Sequence, residues 1–65
     1  MKNNFANNLK DLRVAKNVGQ VELAKAIAVS KGIISLWENG LREPTLSSLI
    51  ALAEYFDIDL DELVG

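Results

Sequence analysis

The sequence predicts an all-helical domain, a compact bundle of five short helices. Apolar residues recur at intervals of three and four, as in Phe5, Leu9 and Leu12, and this spacing places them on one face of a helix. No segment shows the alternation of apolar and polar residues that marks a β-strand. The breaks in the helical pattern are about two to six residues long, which is the usual length of connections between packed helices.

Boundary signals separate the predicted helices from one another. The five helices are expected at about residues 4–16, 20–27, 31–39, 46–56 and 60–64. Ser30 and Thr45 are suited to cap the third and fourth helices. Asp59 and Glu62 have the D-x-x-E spacing of a capping box at the start of the fifth helix, and Gly40 suits a left-handed residue after the third.

The composition indicates one globular domain, residues 1–65, and argues against several kinds of chemistry. Hydrophobic residues make up 49% of the chain, which contains no cysteine and no histidine. Disulfides, thiolate metal sites and histidine-activated nucleophiles are therefore not expected, and neither enzyme activity nor a cofactor is predicted. Asp57, Asp59 and Asp61 have the spacing that opens a calcium loop, but the required glycine does not follow Asp61, so no metal is predicted.

The first residues do not have the pattern of a targeting segment. Met1-Lys2-Asn3-Asn4 is polar and leads into no long apolar run. Neither a signal peptide nor a membrane span is predicted, and the expected location is the cytoplasm.

Charge is divided unevenly along the chain. Residues 1–42 hold all seven lysines and arginines and three acidic residues, a formal charge of +4. Residues 43–65 hold the other six acidic residues and no basic one, a formal charge of −6. Such asymmetry indicates that one side of the domain could face a polyanion, although the net charge of the whole chain is −2.

The window from residue 20 to residue 37 has the spacing of a helix-turn-helix. Two helices that close at a steep angle need a small residue where their backbones meet, and Ala24 supplies it. Residues 28–30 have the length of the tight turn between them. Apolar residues stand at the positions that point inward from both helices: Leu23, Ile27, Val29, Ile34 and Trp37.

Several motifs in order extend this pattern to a family resemblance. They are Leu12-Arg13, Gln20-Val21-Glu22-Leu23-Ala24, Val29-Ser30, Ile34-Ser35, Glu38-Asn39-Gly40 and Pro44. From about Phe5 to Leu63 the chain resembles the Cro and phage-repressor type of DNA-binding domain, also called the XRE type. The resemblance implies a lambda-repressor-like fold, a homodimer on double-stranded operator DNA, and a third helix in the major groove. It further implies a transcriptional regulator, with repression as the expected direction, and neither catalysis nor a cofactor.

The resemblance also assigns roles to individual residues. Arg13 and Glu38 occupy positions that form an ion pair between the first helix and the recognition helix in such domains. Gln20, at the start of the second helix, is expected to hold a DNA phosphate. The predicted DNA-binding set is Gln20, Ser30, Lys31, Gly32, Ser35, Leu36, Asn39 and Arg42.

Some positions depart from the family pattern. Ala28 stands where the family prefers glycine in the turn, and a left-handed conformation there would strain the backbone by about 1–2 kcal/mol. Gly19 replaces the usual Ser or Thr cap, and Leu41 replaces a frequent Lys or Arg. Because Gly32 and Leu36 offer no hydrogen bonds, the recognition surface is poor in polar side chains, which predicts weak or indirect readout.

An alternative interpretation uses the same fold to bind a protein. Ile33, Leu36 and Leu41 could form an apolar patch for a partner, as in an antitoxin or an accessory regulator. No small-molecule ligand is evident in the sequence. Four residues are expected to keep apolar surface after the core is filled and to form a symmetric dimer contact through the last helix: Ile50, Leu60, Leu63 and Val64.

Overall fold

A computed structural model describes residues 4–65 of the chain. Within these residues the fold is five α-helices without a strand. The helices are α1 (Phe5–Ala15), α2 (Gln20–Ala26), α3 (Lys31–Glu38), α4 (Leu46–Phe56) and α5 (Leu60–Val64). They form a body of 29 × 24 × 21 Å. The predicted all-helical class and the order of the helices are confirmed. Each of the first three helices ends one residue earlier than expected, and α1 also begins one residue later.

No described helix has the length and apolar character needed to cross a lipid bilayer. The two longest, α1 and α4, have 11 residues each. A bilayer-spanning helix needs about 20 residues.

Side chains cap the starts of α3, α4 and α5. The Ser30 hydroxyl accepts a hydrogen bond from the Ile33 N–H at 3.2 Å, and the Thr45 hydroxyl accepts one from the Ser48 N–H at 3.1 Å. At α5 the Glu62 carboxylate accepts from the Asp59 N–H at 3.5 Å. These caps satisfy N–H groups that have no partner inside the helix, which is why the three helices start where they do.

The ends of α1 to α4 share one backbone arrangement, the Schellman motif. At the end of α2, the Val29 N–H donates to the Ala24 carbonyl at 2.9 Å and the Ala28 N–H donates to the Lys25 carbonyl at 3.4 Å. This arrangement requires a left-handed residue, which is usually glycine. The four left-handed residues are Asn17, Ala28, Gly40 and Asp57. An apolar residue follows each of them in sequence: Val18, Val29, Leu41 and Ile58.

The core lies where all five helices meet. Five of its side chains have no solvent exposure: Leu9, Leu23, Ile34, Leu52 and Leu63. Trp37 of α3 packs edge-on against Phe5 of α1, with ring centres 6.0 Å apart. Burial of this apolar surface is the main stabilising contribution available to a domain without disulfides.

Two asparagines attach α1 to the end of α5. The Asn8 side-chain amide donates to the Leu63 carbonyl at 3.1 Å, and the Asn4 side-chain amide donates to the Gly65 carbonyl at 3.1 Å. Helix-end carbonyls lack partners within their own helix. Both bonds therefore complete the last turn of a helix of only five residues.

We predict that Ala28→Gly stabilises the domain. Ala28 has φ = 61°, where its Cβ crowds the backbone, and glycine removes that strain. The expected gain is about 1 kcal/mol, or roughly 4–8 °C in melting temperature for a domain of this size. Circular dichroism melts measure it, with Asn17→Gly as the matched control. Asn17 has φ = 58° but is a residue type that tolerates this conformation, so its replacement should gain much less. A lower melting temperature for Ala28→Gly would contradict the prediction.

Candidate nucleic-acid interface

A fixed pair of helices, α2 and α3, forms the candidate site. Ala24, only 3% exposed, lies in the core, where its small side chain lets the two helices approach. Ala28 reverses the chain between them, and Ser30 starts α3. The helices and the turn occupy the positions that the helix-turn-helix spacing predicts.

One face of α3 is buried and the opposite face is accessible. Ile34 and Trp37 point into the core, with exposures of 0% and 3%. Helical steps of 100° place Gly32 and Leu36 on the opposite side. Gly32 is exposed and Leu36 is half-buried, and Leu36 lies outside the core cluster. The predicted outward face of α3 is thus available to a partner.

Arg13 and Glu38 form a two-pronged ion pair between α1 and α3. Arg13 Nε donates to Glu38 Oε2 at 2.6 Å, and Arg13 Nη2 donates to Glu38 Oε1 at 3.0 Å. The two side chains are only 14% and 4% exposed. Such planar, paired hydrogen bonds fix orientation as well as distance, so the ion pair sets the angle of α3 against α1.

Two further hydrogen bonds extend the ion pair to α2 and to the end of α1. Gln20 Nε2 donates to Glu38 Oε1 at 3.1 Å, and Arg13 Nη1 donates to the Val18 carbonyl at 2.9 Å. Sequence reasoning predicted Gln20 only as a phosphate contact and missed this bond. The signal lay in the spacing, because the first residue of α2 and the last residue of α3 meet when a helix-turn-helix closes.

The network changes the titration of its charged members. Burial would raise the pKa of Glu38, but the hydrogen bonds from Arg13 and Gln20, with the positive charges of Arg13 and Lys10, hold its pKa below the ordinary value. The hydrogen bond to Glu38 raises the pKa of Arg13. The ionised pair is therefore the stable form at neutral pH.

The other predicted DNA-binding residues lie around the accessible face of α3. Lys31 and Arg42 are exposed at the start of α3 and in the loop that follows it. The Ser30 hydroxyl accepts the capping bond from Ile33, and its O–H can still donate to another group. Asn39 donates to the Ser35 carbonyl at 2.9 Å and to its hydroxyl at 3.4 Å. Lys31 and Arg42 are thus the charged groups best placed for an anion beside α3.

The predicted dimer residues fall into different environments. Ile50 and Leu60 are 44% and 39% exposed and line a shallow depression between α4 and α5. Val64 is half-buried against the core. The expectation that Leu63 keeps free surface is wrong, because Leu63 is fully buried. It occupies the inward position of α5 facing α1, whereas the outward surface belongs to Leu60.

Within residues 4–65, no cluster of three or more acidic side chains is arranged to bind a metal ion. The accessible chemistry of the site is that of cationic, small and apolar groups on one helix. That arrangement suits a surface-to-surface contact.

The fold and site together define a helix-turn-helix domain. The helix-turn-helix family profile matches residues 9–63, and the chain belongs to this family, in its XRE and phage-repressor type. The sequence is 38% identical over 61 residues to the HTH-type transcriptional activator BcrR of Enterococcus faecalis, covering 94% of this chain and 30% of that protein. It is 33% identical over 61 residues to the phage CTXphi transcriptional repressor RstR of Vibrio cholerae, covering 94% and 55%.

A solved structure is similar over the whole chain. It is a transcriptional regulator from Listeria innocua, with a TM-score of 0.94 and 31% identity, and the match covers 100% of this chain and 61% of that one. The chain spans about a third to a half of the length of the two named curated relatives. What it shares with them is a stretch of 61 aligned residues.

We predict that Glu38→Gln destabilises the domain by about 2 kcal/mol at pH 7. The substitution removes the carboxylate charge that pairs with the buried Arg13 guanidinium and leaves that cation without an opposite charge. Since the folded-state pKa of Glu38 is lowered, its contribution is complete above the unfolded-state pKa and is lost as the pH falls through the folded-state value. The difference in free energy of unfolding between the two proteins should therefore shrink in acid. Urea titrations from pH 7 to pH 3 measure it.

The matched control for this substitution is Glu43→Gln. Glu43 is an exposed carboxylate in the loop before α4. Its loss should change the free energy of unfolding by less than about 0.5 kcal/mol. Equal effects of the two substitutions, or a Glu38→Gln effect that does not depend on pH, would show that the network does not stabilise the fold.

Proposed function

We propose that this domain binds double-stranded DNA as a transcriptional regulator, with α3 inserted in the major groove. The observation that supports it best is the outward face of α3, held at a fixed angle by the Arg13–Glu38–Gln20 network. An α-helix fits the width of the major groove, and a rigid support keeps its side chains in register with the bases. The named relatives are transcriptional regulators, which agrees with this role.

Phosphate contacts would come from the positive side of the domain. Lys31 and Arg42 supply charge beside α3, and the free N–H groups at the start of α2, next to Gln20, can donate hydrogen bonds to a phosphate oxygen. Ser30 and Asn39 lie at the two ends of α3 and would fix its position on the DNA backbone. The six acidic residues between positions 43 and 65 belong to α4, α5 and their loops, and would face away from the DNA.

This function requires no catalysis and no cofactor from the chain. Binding to double-stranded DNA as a regulator would place the protein in the cytoplasm. One of the relatives is named an activator and another a repressor. We favour repression, since a small domain that occupies its site can block access to an overlapping promoter without any further contact.

A homodimer would supply the affinity that one small recognition surface lacks. Two-fold dimers of helix-turn-helix domains bind half-sites about one helical turn, roughly 34 Å, apart. Ile50 of α4 and Leu60 of α5 are exposed apolar residues that line one depression, and we assign the symmetric contact to them, with Val64 at its border. This surface lies on different helices from the DNA-binding face, so both contacts can form together.

A second candidate function is protein binding through the same part of the domain. Leu41 is 74% exposed directly after α3, whereas Val18, Val29 and Ile58, at the same place in the other helix ends, pack against the core. A partner protein could cover Leu41 and Leu36. Ile33 contributes less than expected, because it packs against the core.

DNA binding is tested by selecting bound duplexes from a randomised pool in about 0.1 M salt. We expect enrichment of a two-fold symmetric site. Arg42→Ala should weaken binding to that site and lower the slope of log affinity against log salt by about 1, because one phosphate contact is lost. Lys16→Ala changes the net charge equally at the end of α1, beside Tyr55 and Asp57, and should leave the slope unchanged.

Two other outcomes would contradict the proposal. In one, the protein retains DNA without enriching any sequence, and the DNA is released in modest salt. That result would show only a generic attraction between the protein and a polyanion. The other is a capture experiment in which a protein partner binds with little dependence on salt and is lost with Leu41→Ser. That result would favour the protein-binding function.

The dimer contact is tested by Ile50→Glu. A buried, unpaired carboxylate in an apolar contact is strongly unfavourable, so the variant should be monomeric in sedimentation equilibrium while keeping its helical spectrum. Because residues 43–65 carry six acidic side chains, salt should strengthen the wild-type dimer while weakening DNA binding. Val14→Glu, at a 60% exposed position on α1, is the control and should stay dimeric. A dimer unaffected by Ile50→Glu would place the contact elsewhere.

A further inference from the structure

Gly32 and Leu36, on the outward face of α3, carry no hydrogen-bonding side chain, and Ser35 lies on the same face at a similar angle from the outward direction. Gly32 and Leu36 are one turn apart, opposite the buried Ile34 and Trp37. We call the two residues the apolar strip. The two hydroxyls beside it each accept a hydrogen bond within the domain: Ser35 accepts from Asn39, and Ser30 caps the helix. Lys31 remains as the cationic group at its edge.

The fold gives no reason for glycine at position 32. A Cβ built there would meet only the Ser30 hydroxyl, at 3.8 Å, which is ordinary contact, and Gly32 does not have a positive φ. Glycine inside a helix costs up to about 1 kcal/mol relative to alanine. The missing side chain leaves a methyl-sized gap on the surface, directly beside Leu36.

Only one base offers a matching group in the major groove. Thymine presents a C5 methyl there beside its O4 acceptor, whereas guanine, adenine and cytosine present hydrogen-bond donors and acceptors and no methyl group. Leu36 placed over those polar edges would displace water without replacing its hydrogen bonds, which is unfavourable. Against a thymine methyl the same contact buries two apolar groups.

We propose that the apolar strip recognises thymine in each half-site, by packing the C5 methyl against Leu36 in the gap left by Gly32. This inference rests on the proposed DNA binding and deepens it. The occupant is DNA rather than an apolar peptide because Lys31 adjoins the strip in α3, Arg42 is exposed in the loop that follows α3, and both belong to the part of the chain whose net charge is +4. The strip sets specificity, while the cationic residues set affinity and position.

The test removes single methyl groups from the DNA. In the site selected by the wild-type protein, each thymine is replaced in turn by deoxyuracil, which pairs identically but lacks the C5 methyl. We expect about a fourfold loss of affinity per half-site at one thymine position, the effect of one buried methyl-sized group. Leu36→Ala should bind the unmodified site more weakly and lose its sensitivity to uracil at that position. Leu41→Ala, an exposed leucine outside the strip, should keep the wild-type sensitivity.

A second variant tests the gap independently of Leu36. Gly32→Ala should raise the melting temperature, because alanine favours the helix, and should lower affinity for the selected site by filling the gap. Unchanged affinity would contradict the gap. Wild-type protein that tolerates uracil at every position, or Leu36→Ala that keeps the uracil effect, would overturn thymine recognition and leave DNA binding standing. If no site is enriched in the first place, the proposed function itself fails.

Discussion

The carboxylate of Glu38 is the point on which the geometry of the site depends. It receives hydrogen bonds from Arg13 of α1 and Gln20 of α2, so one group at the end of α3 fixes the positions of three helices. Arg13 also holds the Val18 carbonyl, where the chain leaves α1 for α2. Desolvation offsets much of the attraction in a buried ion pair, so its net gain over an apolar contact is small, whereas loss of one partner alone is costly because the other charge stays buried and unpaired. The apolar core brings the helices together, and the network selects one angle between them.

The sequence predicted the fold well because the signals for it are local. The apolar spacing gave five helices, and Ser30, Thr45 and Asp59 marked three starts correctly. The helix-turn-helix spacing located α2, the turn and α3. Ends of α2 and α3 were placed one residue late, because Ile27 and Asn39 belong to the backbone turns that close these helices.

The predictions that depend on contacts between helices were less complete. Gln20 was expected at a phosphate, but its hydrogen bond to Glu38 appears only when the ends of α2 and α3 are brought together. Leu63 was expected at a surface, but it is buried, because a helix of five residues packed on α1 has one inward position and Leu63 takes it. Periodicity identifies an apolar face without saying how much of that face a neighbour covers. Asn8 gave no signal at all, since its bond joins residues 55 apart in sequence.

The contact between α1 and α5 has a topological consequence. Asn4 donates from its side chain to the Gly65 carbonyl at 3.1 Å, so the first described residue and the last lie side by side. The path of the chain through the five helices therefore almost closes on itself. The packing of the core depends on which helices are neighbours, and much less on which loop is cut. A circular permutant, with residues 4 and 65 joined by a short linker and new ends in the exposed loop at residues 41–43, would keep the same packing with the helix order α4-α5-α1-α2-α3. In that order α3 would be the last element of the chain, and the same DNA-facing surface would lie next to a free carboxyl terminus.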